Sequence, residues 1–384
     1  MIKGTGVEGL LSKKIAEPVP LGSYPPSDVT FLLKDLSHVS LELATEEREA
    51  AIQSGVHYSE MLPVEYQPTE RYIALFRETL EQSAEKVALA VGVVSELIVA
   101  RRGLGGVLVS LARAGTPVGV LIKRYIAERY EVDLPHYSIS IIRGKGIDEN
   151  AILHILQKHG VDTDLQFVDG WTGKGAIRQV LIDSCNSIYE KYGIRLKDDL
   201  AVLADPGSCS GTYGTREDYL IPSACLNSTV SGLISRTVLH PDLIGPEDFH
   251  GAKFYQEWLD VDETNVFVDA ICPYFPSVAI EAKRTAERML EQPPEITWQG
   301  LRDIQKIQET FGINNINLVK PGVGETTRVL LRRVPWKILV DTLDNPNLRH
   351  ILLLAKDRGV PVEIFPGMTY SCCGIIKPLK GETE

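Results

Sequence analysis

Four short apolar runs, each ending in small or charged residues and followed by an amphipathic stretch, constrain this chain most. They are Gly106–Ala112 (GVLVSLA), Tyr137–Arg143 (YSISIIR), Leu165–Asp169 (LQFVD) and Leu200–Asp205 (LAVLAD). Between them lie VGVLIKRYIAERY, a helical pattern from Glu149 to His159 with Gly160 placed to cap it, and a stretch with Ile177, Leu181, Cys185 and Ile188 on one face. Strands alternating with helices of this length predict an α/β fold with a doubly wound parallel sheet and helices on both faces. At 384 residues and 44% hydrophobic, the chain can bury a large core in two or three domains.

Around this centre the sequence divides into four units. Residues 1–66 are turn-rich and aperiodic and read as an N-terminal extension wrapping a larger domain, 67–275, which opens with a helical pattern from Thr69 to Arg102. Residues 276–325 read as a helical connector, with amphipathic helices around 276–291 and 297–311. Residues 326–384 read as a small α/β domain with strands RVLLRR, VEIF and CGIIK and one helix entered through Asn345-Pro346. The net charge of −11 argues against indiscriminate nucleic-acid binding, and no apolar run reaches membrane-spanning length. Six cysteines without a C-x-x-C spacing suit free thiols in a reducing, cytoplasmic setting.

In open parallel sheets, ligands sit beyond the carboxyl ends of the strands. Three loops should share that edge: RAGTP, GKGID and GWTGKG. Backbone amides at a helix start, together with Thr172, Gly173, Lys174 and Gly175, would form an anion cradle beside the carboxylate Asp169. Arg113, Gly115 and Thr116 would form a second one. A Walker A loop is excluded, because GWTGKG has too few residues between its glycines and no hydroxyl after the lysine.

The segments VSLARAGTPVG and LQFVDGWTGKGA resemble the pyrophosphate and 5-phosphate loops of type I phosphoribosyltransferases. That resemblance covers residues 100–240 and implies transfer of ribosyl phosphate from phosphoribosyl pyrophosphate to a nitrogenous acceptor. It would place Thr172–Gly175 on the 5-phosphate, Asp169 on the ribose hydroxyls or Mg2+, and Arg113, Gly115 and Thr116 on pyrophosphate. Arg143 and Lys145 would lie in a mobile catalytic loop, neutralising the leaving group. Gly170 stands where that family carries a second acid, so Asp169 is the lone metal candidate. Over the whole chain, HYSEMLP, LARAGTPVGVLIKRY, DGWTGKGAI and LNSTVSGLISRT resemble a bacterial family found with tellurite-resistance and stress genes. Its members are described as predicted phosphoribosyltransferases, some under the label StiP cysteine protease. The C-terminal TRVLLRRVPWKILV…LLLAKDRGVPVEIFP resembles a Pelota-like RNA-binding module.

Other residues carry readings of their own. Asn227, Ser228 and Arg236 would cover the site and read an acceptor, or else belong to a packed helix. His57, Tyr58 and Glu60 would lean over it from the extension. Arg328, Arg332 and Arg333 would contact RNA phosphates, or guard an edge strand. Two alternatives to transfer stand. One is a non-catalytic nucleotide sensor with RNA binding. The other is a cysteine peptidase with Cys209 as nucleophile and His240 or His250 as base.

Overall fold

The computed structural model describes residues 12–377; Met1–Leu11 and Pro378–Glu384, the ends of the two expected terminal units, lie outside the described residues. Side-chain alternation builds the central sheet. Val107, Val109 and Leu111 point to one core with Phe167, Leu200 and Val202, while Leu108, Val168, Ala201 and Leu203 point to the other. The strands are β1 (Thr30–Leu32), β2 (Val107–Ala112), β3 (His136–Ile142), β4 (Leu165–Trp171), β5 (Leu200–Ala204) and β6 (Thr212–Thr215). They run in the order β1-β3-β2-β4-β5-β6, all parallel, with Gly146–Ile147 added antiparallel on β3.

Helices cover both faces. α1 (Glu70–Arg102) and α2 (Gly115–Tyr130) pack on one core, and α3 (Glu149–His159) and α4 (Ala176–Tyr192) on the other. The expected alternation is therefore present as a mixed α/β fold around a parallel sheet. The N-terminal extension does more than wrap that sheet: β1 becomes its edge strand, and Arg124 on α2 grips Asp28 just before β1 with two bonds of 3.0 and 2.6 Å. α5 (Phe275–Glu291) lies along α1, where Gly92 permits close approach; a Cβ there would stand 2.7 Å from the Ala282 Cβ.

The C-terminal module contains α6 (Gln299–Thr310), β7 (Val319–Pro321), α7 (Gly322–Arg332), β8 (Pro335–Val340), α8 (Arg349–Asp357), β9 (Val362–Ile364) and β10 (Cys372–Ile376). Its sheet order is β7-β10-β8-β9. One expectation is corrected here: RVLLRR is not a strand but the end of α7. Val323, Thr326, Thr327 and Leu330 are buried at helical spacing, and pairing begins only at Pro335. Arg328 therefore lies on a helix, and the side chain of Arg332 lies outside the described residues. Among the described residues, no helix is long and apolar enough to cross a membrane.

Candidate functional site

The chain steps from β2 to β3 on one side and then crosses to β4 on the other, so its direction reverses between β2 and β4. A crevice opens at such a point, beyond the strand ends. Glycines let its two walls close together: a Cβ on Gly115 would lie 2.4 Å from the Val168 carbonyl, and one on Gly170 3.0 Å from that of Ala114. The cavity there measures about 490 Å³, with an apolar floor that includes Leu111, Leu203, Ile221 and Val230.

Its polar side chains are held by partners from every unit of the chain. Arg113 donates to the Ile234 carbonyl (3.2 Å) and stands 3.5 Å from Glu65. Arg328 of α7 donates to Asn227 Oδ1 (2.7 Å) and pairs with Glu325 (3.2 Å). Tyr58 reaches in from the extension: its hydroxyl accepts from the Arg143 backbone N–H (2.8 Å), while the guanidiniums of Arg236 and Arg143 lie 5.0 and 5.8 Å from its ring. Asp169 forms part of the wall. Burial pushes its carboxyl up to about 7 against the pull of the Gly170 N–H at 2.7 Å. Arg113, Arg143, Asp169, Asn227 and Arg236 thus converge on one cavity. Thr116 and Ser228 are buried behind it, bonded to Ser138 (2.8 Å) and Glu65 (3.4 Å). Lys145 turns away to line a separate groove of about 320 Å³ with Asp183 and Lys191, and Arg333 is exposed beside the cleft of Glu65 and Arg113. Among the described residues, no group of three or more His, Cys, Asp or Glu side chains forms a metal nest.

The loop after β4 has other employment than an open cradle. Thr172 donates its hydroxyl to the buried Asp205 at 2.5 Å. Lys174 reaches into the C-terminal module, donating to the carbonyls of Ile316 (2.9 Å) and Val319 (3.4 Å). The Gly173 carbonyl accepts from the Tyr370 hydroxyl (3.1 Å), and Gly175 lies beneath Trp298, whose ring a Cβ would meet at 2.2 Å. Next to it, the Gly300 N–H donates to Gly207 and those of Thr297 and Trp298 to Ser208. Asp218 completes the seam by accepting from the N–H groups of Val323 (3.0 Å) and Ser371 (2.8 Å); burial pushes its carboxyl up to about 7. Sequence reasoning passed over Asp205 and Asp218. The rule that picked Asp169 at a strand end could have found Asp205, which ends the fourth apolar run; Asp218 ends no apolar run and carries no such signal.

All six cysteines are free thiols. Cys209 follows β5 at the seam, its N–H held by Asp205 at 2.8 Å and its thiol directed to the carbonyls of Gly207 (3.4 Å) and Gly173 (3.8 Å). Burial and the Asp205 charge push this thiol up to about 12, so it is neutral as it stands. The two histidines considered as its base are engaged elsewhere: His250 bonds Ser140 Oγ (2.8 Å), and His240 Nδ1 accepts from the Asp242 N–H (3.2 Å).

Comparison with known proteins bears on these alternatives. The family described as "Tellurite-like stress resistance cysteine protease StiP" matches residues 22–272, and the "PELOTA RNA binding domain" matches residues 298–378. A protein of Acinetobacter baylyi (strain ATCC 33305 / BD413 / ADP1) named "Cysteine protease StiP" is 35% identical over 359 residues, spanning 89% of this chain and 90% of its own. A solved structure of a C-DES mutant with glycine covalently linked to its PLP cofactor overlaps 86% of each chain at 10% identity and a TM-score of 0.24, too slight a likeness to carry an argument. The family description and the relative's name both say cysteine protease, which overturns the expectation of a phosphoribosyltransferase. The loop geometry gives a physical reason why that expectation failed: small residues and a lysine suit a module seam as well as they suit a phosphate.

Proposed function

The chain belongs to the StiP family, and from that membership we propose that it is a cysteine peptidase. The observation that carries this reading is the 35% identity to "Cysteine protease StiP" along 89% of the chain. Cys209 is the thiol we assign as nucleophile, because it follows a central strand at the sheet's carboxyl edge with its backbone anchored by a buried carboxylate. In such a reaction a C–S bond forms at the scissile carbonyl as the C–N bond breaks and the amine leaves with a proton. Water then releases the acid and restores the thiol. A neutral thiol under the Gly173 loop is a resting arrangement, so attack requires the seam to loosen and a base to reach Sγ. The test is turnover of an unfolded fluorogenic protein by the purified full chain, with and without thiol alkylation, and for each cysteine-to-alanine variant. We expect alkylation and Cys209→Ala to abolish turnover while Cys185→Ala retains it. Turnover indifferent to alkylation would overturn the reading.

We also infer that RNA is a partner of the C-terminal module, on the strength of the Pelota RNA-binding match over residues 298–378. Exposed Arg333 is the phosphate contact we assign, while Arg328 is committed to Asn227 and Glu325. Single-stranded RNA binding should weaken with salt, and Arg333→Ala should reduce that salt dependence by about one phosphate contact. No binding at low salt would remove RNA from the account.

A further inference from the structure

The cavity between β2 and β4 has two chemical characters. Its floor is apolar, and its mouth carries the guanidiniums of Arg143 and Arg236. Among the described residues neither guanidinium makes a hydrogen bond or ion pair; the Tyr58 ring is their direct partner. The neighbouring cations are spent, Arg113 on Glu65 and Ile234, and Arg328 on Glu325 and Asn227, although Arg328 Nε remains a buried donor without an acceptor. In a chain where acids outnumber Lys and Arg by 51 to 40, two adjacent uncompensated guanidiniums run against the average charge. Burial, Arg113, Arg48 and Arg143 all push Arg236 below its ordinary value, a repulsion that a bound anion would relieve.

The form of the anion follows from what surrounds it. The Gly173–Gly175 loop is closed by Tyr370 and Trp298, so recognition must come from side-chain N–H groups rather than a loop cradle. The planar fork of a guanidinium matches a carboxylate with two parallel bonds. The Asp169 carboxyl in the wall, whenever it is ionised, opposes a second negative charge deeper inside, which favours one anionic group at the mouth over a polyanion. A volume of about 490 Å³ above apolar side chains suits a hydrophobic body attached to that group.

We propose that this cavity binds the C-terminal end of a peptide, with an apolar last side chain on the Leu111–Leu203 floor and its free carboxylate on Arg143 and Arg236. The choice of a peptide rests on the peptidase reading; the site itself rests on the cavity and its two guanidiniums. The test is calorimetric titration of the full chain with an N-acetylated tripeptide ending in leucine, its C-terminally amidated counterpart, and a nucleoside monophosphate. We expect the free acid to bind and the amide to bind about 10- to 100-fold more weakly, the scale of a lost charged hydrogen bond. Arg236→Gln should weaken the acid by a similar factor. Arg143→Gln, at an exposed position that folding tolerates, should do the same, and Lys145→Ala should change nothing. Equal binding of acid and amide, or tighter binding of the nucleoside monophosphate, would overturn the proposal. Because binding is read without turnover, carboxylate-selective binding by a chain that hydrolyses nothing removes the peptidase and keeps the site. Hydrolysis without carboxylate preference does the reverse.

Discussion

The Gly173–Gly175 loop and the rim around Tyr58 lie on the same edge of one sheet, and both gather cations, yet their donors are used in opposite ways. In the loop, the Lys174 ammonium and the Thr172 hydroxyl are consumed inside the protein, on two carbonyls of the C-terminal module and on Asp205. At the rim, Arg143 and Arg236 face a cavity, and among the described residues their guanidiniums make no hydrogen bond or ion pair and lie against the Tyr58 ring. The first arrangement holds two parts of the chain together; the second has donors to spare for something from outside. Both places offer polar donors, and what differs is whether an acceptor of the protein lies within reach.

The largest effect should come from forcing the seam. Gly207→Ala would put a Cβ 2.1 Å from the Gly173 carbonyl, so backbone must move; overpacking of this kind costs about 3 kcal/mol, readable by urea unfolding. A loss well under 1 kcal/mol would mean that the seam is softer than its hydrogen bonds imply. Next, Lys174→Met should cost about 1–2 kcal/mol by stranding two carbonyls, while leaving peptide affinity at the cavity unchanged. If affinity falls with it, the two regions are one site and the contrast fails.

A pH effect should follow in size. Asp169 has a folded value of about 7 against an ordinary value of 3.8, so the folded state holds the proton more tightly than the unfolded one. Its stability contribution is complete below the unfolded value, declines as pH rises and is gone once pH passes about 7. The stability difference between wild type and Asp169→Asn should therefore change across that window and be flat above it. A difference independent of pH from 4 to 8 would place the carboxyl in water rather than in the cavity wall. The smallest effect is expected for Lys145→Ala, within about 0.5 kcal/mol in stability, since the side chain is exposed over a separate groove.

Much of the architecture is legible in the amino-acid sequence. Each of the four apolar runs became a parallel strand, and the helix from Thr69 to Arg102 was met by one from Glu70 to Arg102. These readings succeeded because burial repeats every two residues on a strand and every three to four on a helix, which is a local property. RVLLRR failed because its short apolar core fits both periods. The deciding residues, Val323, Thr326 and Thr327, lie upstream, astride the expected limit between residues 276–325 and 326–384. For the candidate site, Arg113, Arg143, Asp169, Asn227 and Arg236 were all singled out and do meet at one cavity. Their neighbours Thr116 and Ser228 carry equally suggestive hydroxyls but turn inward, and nothing local in the chain distinguishes the two outcomes.

By itself the sequence determined the alternating strands and helices, the carboxyl edge on which polar loops gather, and, through likeness to its relatives, the family. Only the tertiary structure decided what each loop serves. Lys174 became a clasp because Ile316 and Val319, more than 140 residues away, bring carbonyls to it. Arg236 remained available because two nearby acids, Glu65 and Glu325, pair with Arg113 and Arg328 instead. A side chain's chemistry is local, but its partner is chosen by packing between segments far apart in the chain, and that choice separates a structural cation from one free to bind.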